Sequence, residues 1–254
     1  VKAAGDFERK DMEIVSFGGG VNSTAMIVGM KIRNERPDYI LFADTGGEKP
    51  QTYDHIELMQ KWLAENGFPL ITTVKEKITL QADCENRQTL PSKAFGFSTC
   101  SMRFKVQPQE RWISQNNIEN PVWLVGIHAG EIKRALNAKT KKPNVRFPLI
   151  EWGWGQQDCE DAIVKECLPV PVKSACFFCP SMQKREVLQL KETNPELLDQ
   201  AIEMERMAKE AGTLQTVKGL GRNWSWEALV SADEKQLRLF DDCQAPICDA
   251  CIDW

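Results

Sequence analysis

This sequence predicts an α/β fold, a mostly parallel sheet with covered faces followed by a helical, metal-stapled C-terminal subdomain. Three observations predict it. Short apolar runs alternate with amphipathic stretches through the first 150 or so residues, the pattern of successive βαβ units. The first run, Met12–Val15, empties through Gly18, Gly19 and Gly20 into a helix-like stretch, the order in which a chain builds an anion site at a helix N-terminus. After about Phe147 helical periodicity takes over, and the loops become short and rich in Pro, Gly, Trp and Cys. The expected division is 1–150 as the α/β domain and 151–254 as a helical, cysteine-containing subdomain.

Strands are expected at Glu13–Phe17, Tyr39–Ala43, Leu70–Val74 and Val122–Ile127, where β-branched and aromatic residues form short apolar runs. Helices are expected at Ser23–Arg33, Thr52–Asn66 and Gln107–Asn116, with Asn22 or Ser23 capping the first and Gly67 ending the second. The C-terminal part reads as helices at Gln156–Glu166, Gln183–Glu192, Pro195–Ala211 and Ser225–Val230. Right-handed crossovers place the loops after Phe17, Ala43 and Ile127 along the carboxyl edge of the sheet, where open α/β sheets bind ligands.

A chain of 254 residues with 42% hydrophobic content can bury a large core. A net charge of −4 gives no global basic field of the kind that announces nucleic acid. No run of 18 apolar residues and no signal-like block are present, so the expectation is a cytoplasmic protein without a membrane segment. Nine cysteines, some in CxxC pairs, favour metal or redox chemistry over disulfides in a reducing compartment.

The glycine loop Ser16-Phe17-Gly18-Gly19-Gly20-Val21-Asn22-Ser23 fits neither GxxxxGK[ST] nor GxGxxG. It reads as a short phosphate loop or as a tight strand–helix turn. Asp44 and Thr45, at the end of the second strand, suit a magnesium–pyrophosphate unit or a ribose, or a plain turn. Arg103 and Lys105 can neutralise phosphate, the first as a planar fork and the second as a point charge, or lie on a solvated helix end. Gly126 and His128 directly follow a strand, with Arg134 in the basic stretch that continues through Lys133, Lys139, Lys141, Lys142 and Arg146. That stretch suits a polyanionic partner or a solvated face.

Five motifs in order, SFGGGVNST, FADTGGEKPQTY, CSMRFKVQP, GIHAGEIKR and FPLIEWGW, resemble those of the PP-loop ATP pyrophosphatase and PAPS reductase superfamily. The nearest members are the iron–sulfur sulfurtransferases of DNA phosphorothioation and phage-type PAPS reductase-like proteins. Their patterns are SGGxDS, DTG-x-E, C-x4-K-x2-P, GIR-x-[DE]-[EP]-x-R and PL-x-x-W. Here Gly18 stands where the loop has Ser, Asn22 where it has Asp, and His128 where the fourth motif has Arg. The resemblance implies a Rossmann-like, adenine nucleotide alpha hydrolase-like (HUP) fold. It also implies ATP with magnesium at Ser16, Gly18, Gly19, Gly20, Asn22, Ser23, Asp44, Thr45, Gly126, His128 and Arg134, with Lys105, Arg103 and Asp44 in catalysis.

Cys176-Phe177-Phe178-Cys179-Pro180 is the strongest chemical signal, two thiolates spaced for one metal or for two corners of a cluster. Cys100 is similar to the first cysteine of the CC-x3-K-x2-P element of iron–sulfur APS reductases, with Ser101 at the second. The resemblance therefore implies a 4Fe–4S cluster with Cys100, Cys176 and Cys179 as three ligands; the fourth is expected from the tail, at Cys248 with Cys243 or Cys251 as alternative. Zinc on Cys176, Cys179, Cys248 and Cys251 is the alternative. Cys84, Cys159 and Cys167 read as bystanders, the last two as small buried hydrophobes. Of the tryptophans Trp152, Trp154, Trp224 and Trp226, core packing is expected, with base stacking open to an exposed one.

The expected function is an adenylating sulfurtransferase acting on a nucleic-acid acceptor, DNA or tRNA, with a sulfur donor such as a cysteine desulfurase. Reduction of APS or PAPS by a tail thiol is a second reading, and a non-catalytic nucleotide-binding module with structural zinc a third.

Overall fold

The computed structural model describes residues 11–91, 93–94, 97–139 and 144–242. The chain folds as two compact units. The first runs to Leu80 and resumes over Thr99–Cys176; the second comprises Gln81–Ser98 and the chain from Phe177.

The first unit holds five parallel strands, β1 (Met12–Phe17), β2 (Tyr39–Asp44), β3 (Ile71–Lys75), β6 (Pro121–Val125) and β7 (Val145–Arg146), in the order β3-β2-β1-β6-β7. Side chains alternate across the sheet with period two. Val15, Phe17, Ile40, Phe42 and Leu124 enter one core, and Ile14, Leu41 and Trp123 the other. Each fully buried aliphatic among them contributes about 1.5–3 kcal/mol. Helix α1 (Val21–Ile32) packs in the first core, whose members include Ala25, Met26, Ile27, Val28 and Met30. Helix α2 (Pro50–Glu65) buries Ile56, Met59 and Leu63 in the same core and starts on Pro50, whose missing N–H costs nothing in a first turn.

Helix Gln156–Lys165 adds Cys159, Ala162 and Ile163 to that core. The expected division at residue 150 is thus displaced: this helix belongs with the sheet, and the second unit takes up the chain again only after Cys176. Strand β6 stops at Val125, two residues before the expected end, and Leu70 lies outside β3 and is exposed. Arg103 and Lys105 do not flank a helix start. They lie within a π-helix, Met102–Val106, that runs straight into helix Gln107–Gln115. Pro108 supplies the reason: it has no N–H for an i→i−4 bond, and a wider turn accommodates it. Cys167 is exposed rather than buried, one residue past the cap of helix Gln156–Lys165, with φ 57°.

In the second unit α3 (Leu80–Asn86) is followed by the antiparallel pair β4 (Lys93–Ala94) and β5 (Phe97–Ser98). Helices Lys184–Thr193, Pro195–Glu210 and Trp226–Asp242 complete it, the last much longer than the expected Ser225–Val230. Among the described residues, no helix is long and apolar enough to cross a membrane.

Candidate nucleotide site

The strand order turns in opposite directions from β1 and from β6, so the crevice between their carboxyl ends is the topological switch point, where open α/β sheets bind ligands. The glycine loop opens on this crevice. Gly19 has φ 69°, a left-handed conformation that a side chain resists, and Gly20 is the N-cap of α1 in extended geometry. The Ser23 hydroxyl accepts from Gly18 N–H at 3.3 Å and donates to Gly20 C=O at 3.1 Å, which fixes the loop's curvature. Ser16 lies inside β1, half-buried, in register with Leu41 and Val125.

From the β6 side, Gly126 presses on the first turn of α1. A Cβ there would stand 2.8 Å from Asn22 C, Asn22 O and Ser23 N, all backbone atoms. Beyond it, Glu131 gathers three of the expected residues. It accepts from Asn22 Nδ2 at 3.4 Å and from Arg134 Nη1 at 3.1 Å, and it lies 3.7 Å from His128 Nε2. His128 caps the following 3₁₀ turn, its Nδ1 accepting from Gly130 N–H at 3.1 Å.

The β2 loop carries the second cluster. Asp44 Oδ1 accepts from Gly46 N–H and from the Tyr53 hydroxyl, both at 2.8 Å. Burial, reinforced by Asp44, pushes the Tyr53 phenol well above its ordinary range, so it stays a donor. Thr45 Oγ1 lies 3.1 Å from Cys176 Sγ and 3.4 Å from Glu48 Oε1. The Glu48 side chain is 1% exposed, and Lys105 Nζ reaches its Oε1 at 3.0 Å. Lys105, Thr45 and Cys176 therefore meet on one buried carboxylate.

Three side-chain atoms in these clusters are buried with no hydrogen-bond partner, Asn22 Oδ1, Thr52 Oγ1 and Glu48 Oε2. Two flank the glycine loop directly, since Asn22 follows Gly20 by two residues and Thr52 Cγ2 lies 3.0 Å from a Cβ built on Gly19. A buried polar atom left unpaired costs about 1–3 kcal/mol, so each of these atoms would gain from a further partner. Ser174 adds a hydroxyl, its Oγ 2.9 Å from a Cβ built on Gly20 and 3.9 Å from one on Gly18. Glu48, Thr52, Tyr53, Glu131 and Ser174 are not among the residues the sequence points to. The motifs contain all of them but Ser174, whose position no local pattern signals.

Other expected residues stand apart. Arg103 is exposed, its guanidinium 5.0 Å over the Phe104 ring. Of the basic stretch, Arg146 pairs with Glu13 and Glu151 and Arg134 with Glu131, so its described arginines are already neutralised. Cys176 is buried, while Cys100 and Cys179 are half-buried, and Cys179 belongs to the second unit. Among the described residues no three Cys, His, Asp or Glu side chains form a metal-holding group. Cys243, Cys248 and Cys251 lie outside the described residues. Cys159 is fully buried, and burial pushes its thiol up to about 12, an inert bystander.

Residues 13–170 match the family described as the phosphoadenosine phosphosulfate reductase domain. The chain belongs to this family. The PAPS reductase match spans β1 from Glu13 through β7, the glycine loop, Asp44, Glu48, Lys105 and helix Gln156–Lys165, and stops short of Ser174 and Cys176. No curated protein matches the chain. Among solved structures, a similar one is U34-tRNA thiolase NcsA from Methanococcus maripaludis with its 4Fe–4S cluster. It is 13% identical, with TM-score 0.46, over 79% of this chain and 74% of that one.

Behind the loop, His55 is buried against Thr24, Nε2 to Oγ1 2.8 Å, and burial lowers its pKa below 6.5. Both folded and unfolded chains are neutral here above 6.5, so no stability is lost there. Below 6.5 the unfolded chain takes up the proton first, and stability falls as pH drops toward the lower folded value. Thermal melts between about pH 7.5 and about pH 5 should show a steeper loss for the parent than for His55→Gln, whose side chain does not titrate. Parallel losses would remove His55 from this role.

Proposed function

We propose that this PAPS reductase family member is an adenylating sulfurtransferase. An oxygen of the acceptor attacks the α-phosphorus of ATP and the bond to pyrophosphate breaks. A sulfur nucleophile then displaces AMP from the adenylated acceptor. The observation that carries the reading is the orphaned Thr52 hydroxyl, a donor beside a glycine loop that opens on the switch point, with Asn22 Oδ1 next to it as an acceptor for magnesium or a ligand hydroxyl.

On this reading the N–H groups of Gly18, Gly19 and Gly20 and the α1 N-terminus hold the leaving pyrophosphate, with Ser174 supplying a hydroxyl. Donors preset in this way act on charge as it develops, and losing one such donor typically costs roughly 10²–10³ in rate. Lys105, held by Glu48, offsets the growing negative charge. Asp44, oriented by Tyr53 and Gly46, faces magnesium or the ribose. Gly126, His128 and Arg134 form the opposite wall. The acceptor is a nucleic acid, and the sulfur comes from a separate donor.

Cys100, Cys176, Cys179 and one of Cys243, Cys248 and Cys251 are the candidate ligands of a 4Fe–4S cluster, which would supply sulfur or redox chemistry when bound. Zinc on the two CxxC pairs is the alternative.

Membership of the PAPS reductase family favours a second reading, reduction of APS or PAPS, which uses the same nucleotide pocket. Product analysis separates the two. Purified protein given ATP and magnesium with a nucleic-acid pool should release AMP and pyrophosphate. Sulfite from APS or PAPS, with ATP untouched, would select the reductase.

A further inference from the structure

Within the second unit, the segment between Glu210 and Glu227 contains no acidic residue in a chain whose net charge is −4. It wraps a cleft of about 260 Å3 lined by Leu90, Pro91, Thr216 and Arg222 among others, with no carboxylate side chain in its wall. Lys218 N–H donates to Arg222 C=O, which brings two exposed cations onto one tight turn. Arg222 has φ 64°, a left-handed conformation that favours glycine, yet an arginine occupies it between Gly221 and Asn223. The half-buried Trp224 ring follows; it stacks on Trp226 with centroids 6.5 Å apart, packs against Gly221, and has Lys184 Nζ 5.9 Å from its centroid. The nearby carboxylates are committed elsewhere. Glu205 is buried and accepts from Leu220 and Trp226 N–H, each at 3.0 Å; Glu227 pairs with Arg206; Glu186 accepts from Gln183 N–H. Glu205 thus pins the loop from beneath, so its cations and ring are presented without much ordering cost.

We propose that this surface binds single-stranded nucleic acid. Lys184, Lys218 and Arg222 take backbone phosphates, a base stacks on Trp224, and the mixed polar and apolar cleft receives a neighbouring nucleotide. Lys184 by the Trp224 ring, Lys218 and Arg222 on the same loop, and prolines and threonines in the cleft wall match the alternating charge and flat rings of that polymer. The acceptor in the proposed function is a nucleic acid, and this inference rests on that reading for its biological purpose, though its test does not use ATP.

The test is the binding of a fluorescent single-stranded oligonucleotide of mixed sequence, as RNA and as DNA, to the full chain without ATP over a series of salt concentrations. Lys218→Ala with Arg222→Gly, the glycine relaxing the backbone, should weaken binding about tenfold and flatten the log–log salt slope by about 1.4, roughly 0.7 for each lost phosphate contact on a single strand. Trp224→Leu should weaken it about tenfold with the salt slope unchanged. Preference for RNA or DNA identifies the polymer. Failure of the parent to bind, variants that bind like the parent, or displacement by polyglutamate as effective as by unlabelled oligonucleotide would each overturn the proposal. AMP formation measured on the same preparations keeps the two ideas apart: a parent that forms AMP yet binds no oligonucleotide sinks only this surface, and the converse sinks only the adenylation chemistry.

Discussion

Gly126→Ala is expected to lower nucleotide affinity by at least about tenfold and to cost about 1–3 kcal/mol of folding stability, the range for an overpacked methyl. The added carbon would stand 2.8 Å from three backbone atoms of Asn22 and Ser23. No side-chain rotation relieves that overlap, so either β6's loop or the first turn of α1 must move. That turn follows directly on the glycine loop and carries the orphaned Asn22 Oδ1, so the shift falls on the proposed phosphate site. Gly18→Ala is the comparison. Its Cβ meets only Ser174 Oγ and Ser23 Oγ, each at 3.9 Å, and the melting temperature should stay near that of the parent. Calorimetric titration with ATP and thermal melts of both variants check this. A Gly126→Ala protein that melts and binds like the parent would show that the two strand ends do not form one site.

The second large effect is expected at Lys105. Its ammonium sits on Glu48, whose side chain is almost fully enclosed. Removing one partner of a buried pair strands the other's charge, at about 3–5 kcal/mol. Lys105 is itself 39% exposed, so water softens the loss, and about 2–3 kcal/mol is expected for Lys105→Ala. Glu48→Gln in the same chain removes the stranded charge and should restore much of the stability. AMP formation should stay low in both, since neither offsets phosphate charge. Chemical denaturation across this double-mutant cycle reads the coupling, and activity recovering along with stability would reduce Lys105 to a structural role.

Strands β1, β2, β3 and β6 are legible in the sequence to within a residue or two because each is a short apolar run bounded by turn residues. The glycine loop is legible for the same reason: consecutive glycines between a strand and a helix have few other uses. Strand β7 is not, because two residues, Val145 and Arg146, carry no periodicity. The π-helix around Arg103 and Lys105 resembles the approach to a helix, because Pro108 looks like a helix start. Ser174 and Glu48 acquire their meaning only from contacts with residues far away in the chain, Gly20 and Cys176 respectively. The displaced domain boundary has the same origin: helix Gln156–Lys165 looks like the helices after it, and only its packing in the core with α1 assigns it to the sheet.

On the proposed reading, the crevice between β1 and β6 holds the phosphates of an adenine nucleotide. A crystal structure with α,β-methylene ATP and magnesium tests it most directly. Phosphate oxygens are expected on the Gly18–Gly20 amides and the Thr52 hydroxyl, with Asn22 Oδ1 newly partnered by magnesium or a donor of the analogue. An analogue bound away from this loop, with both atoms still unpaired, would contradict it.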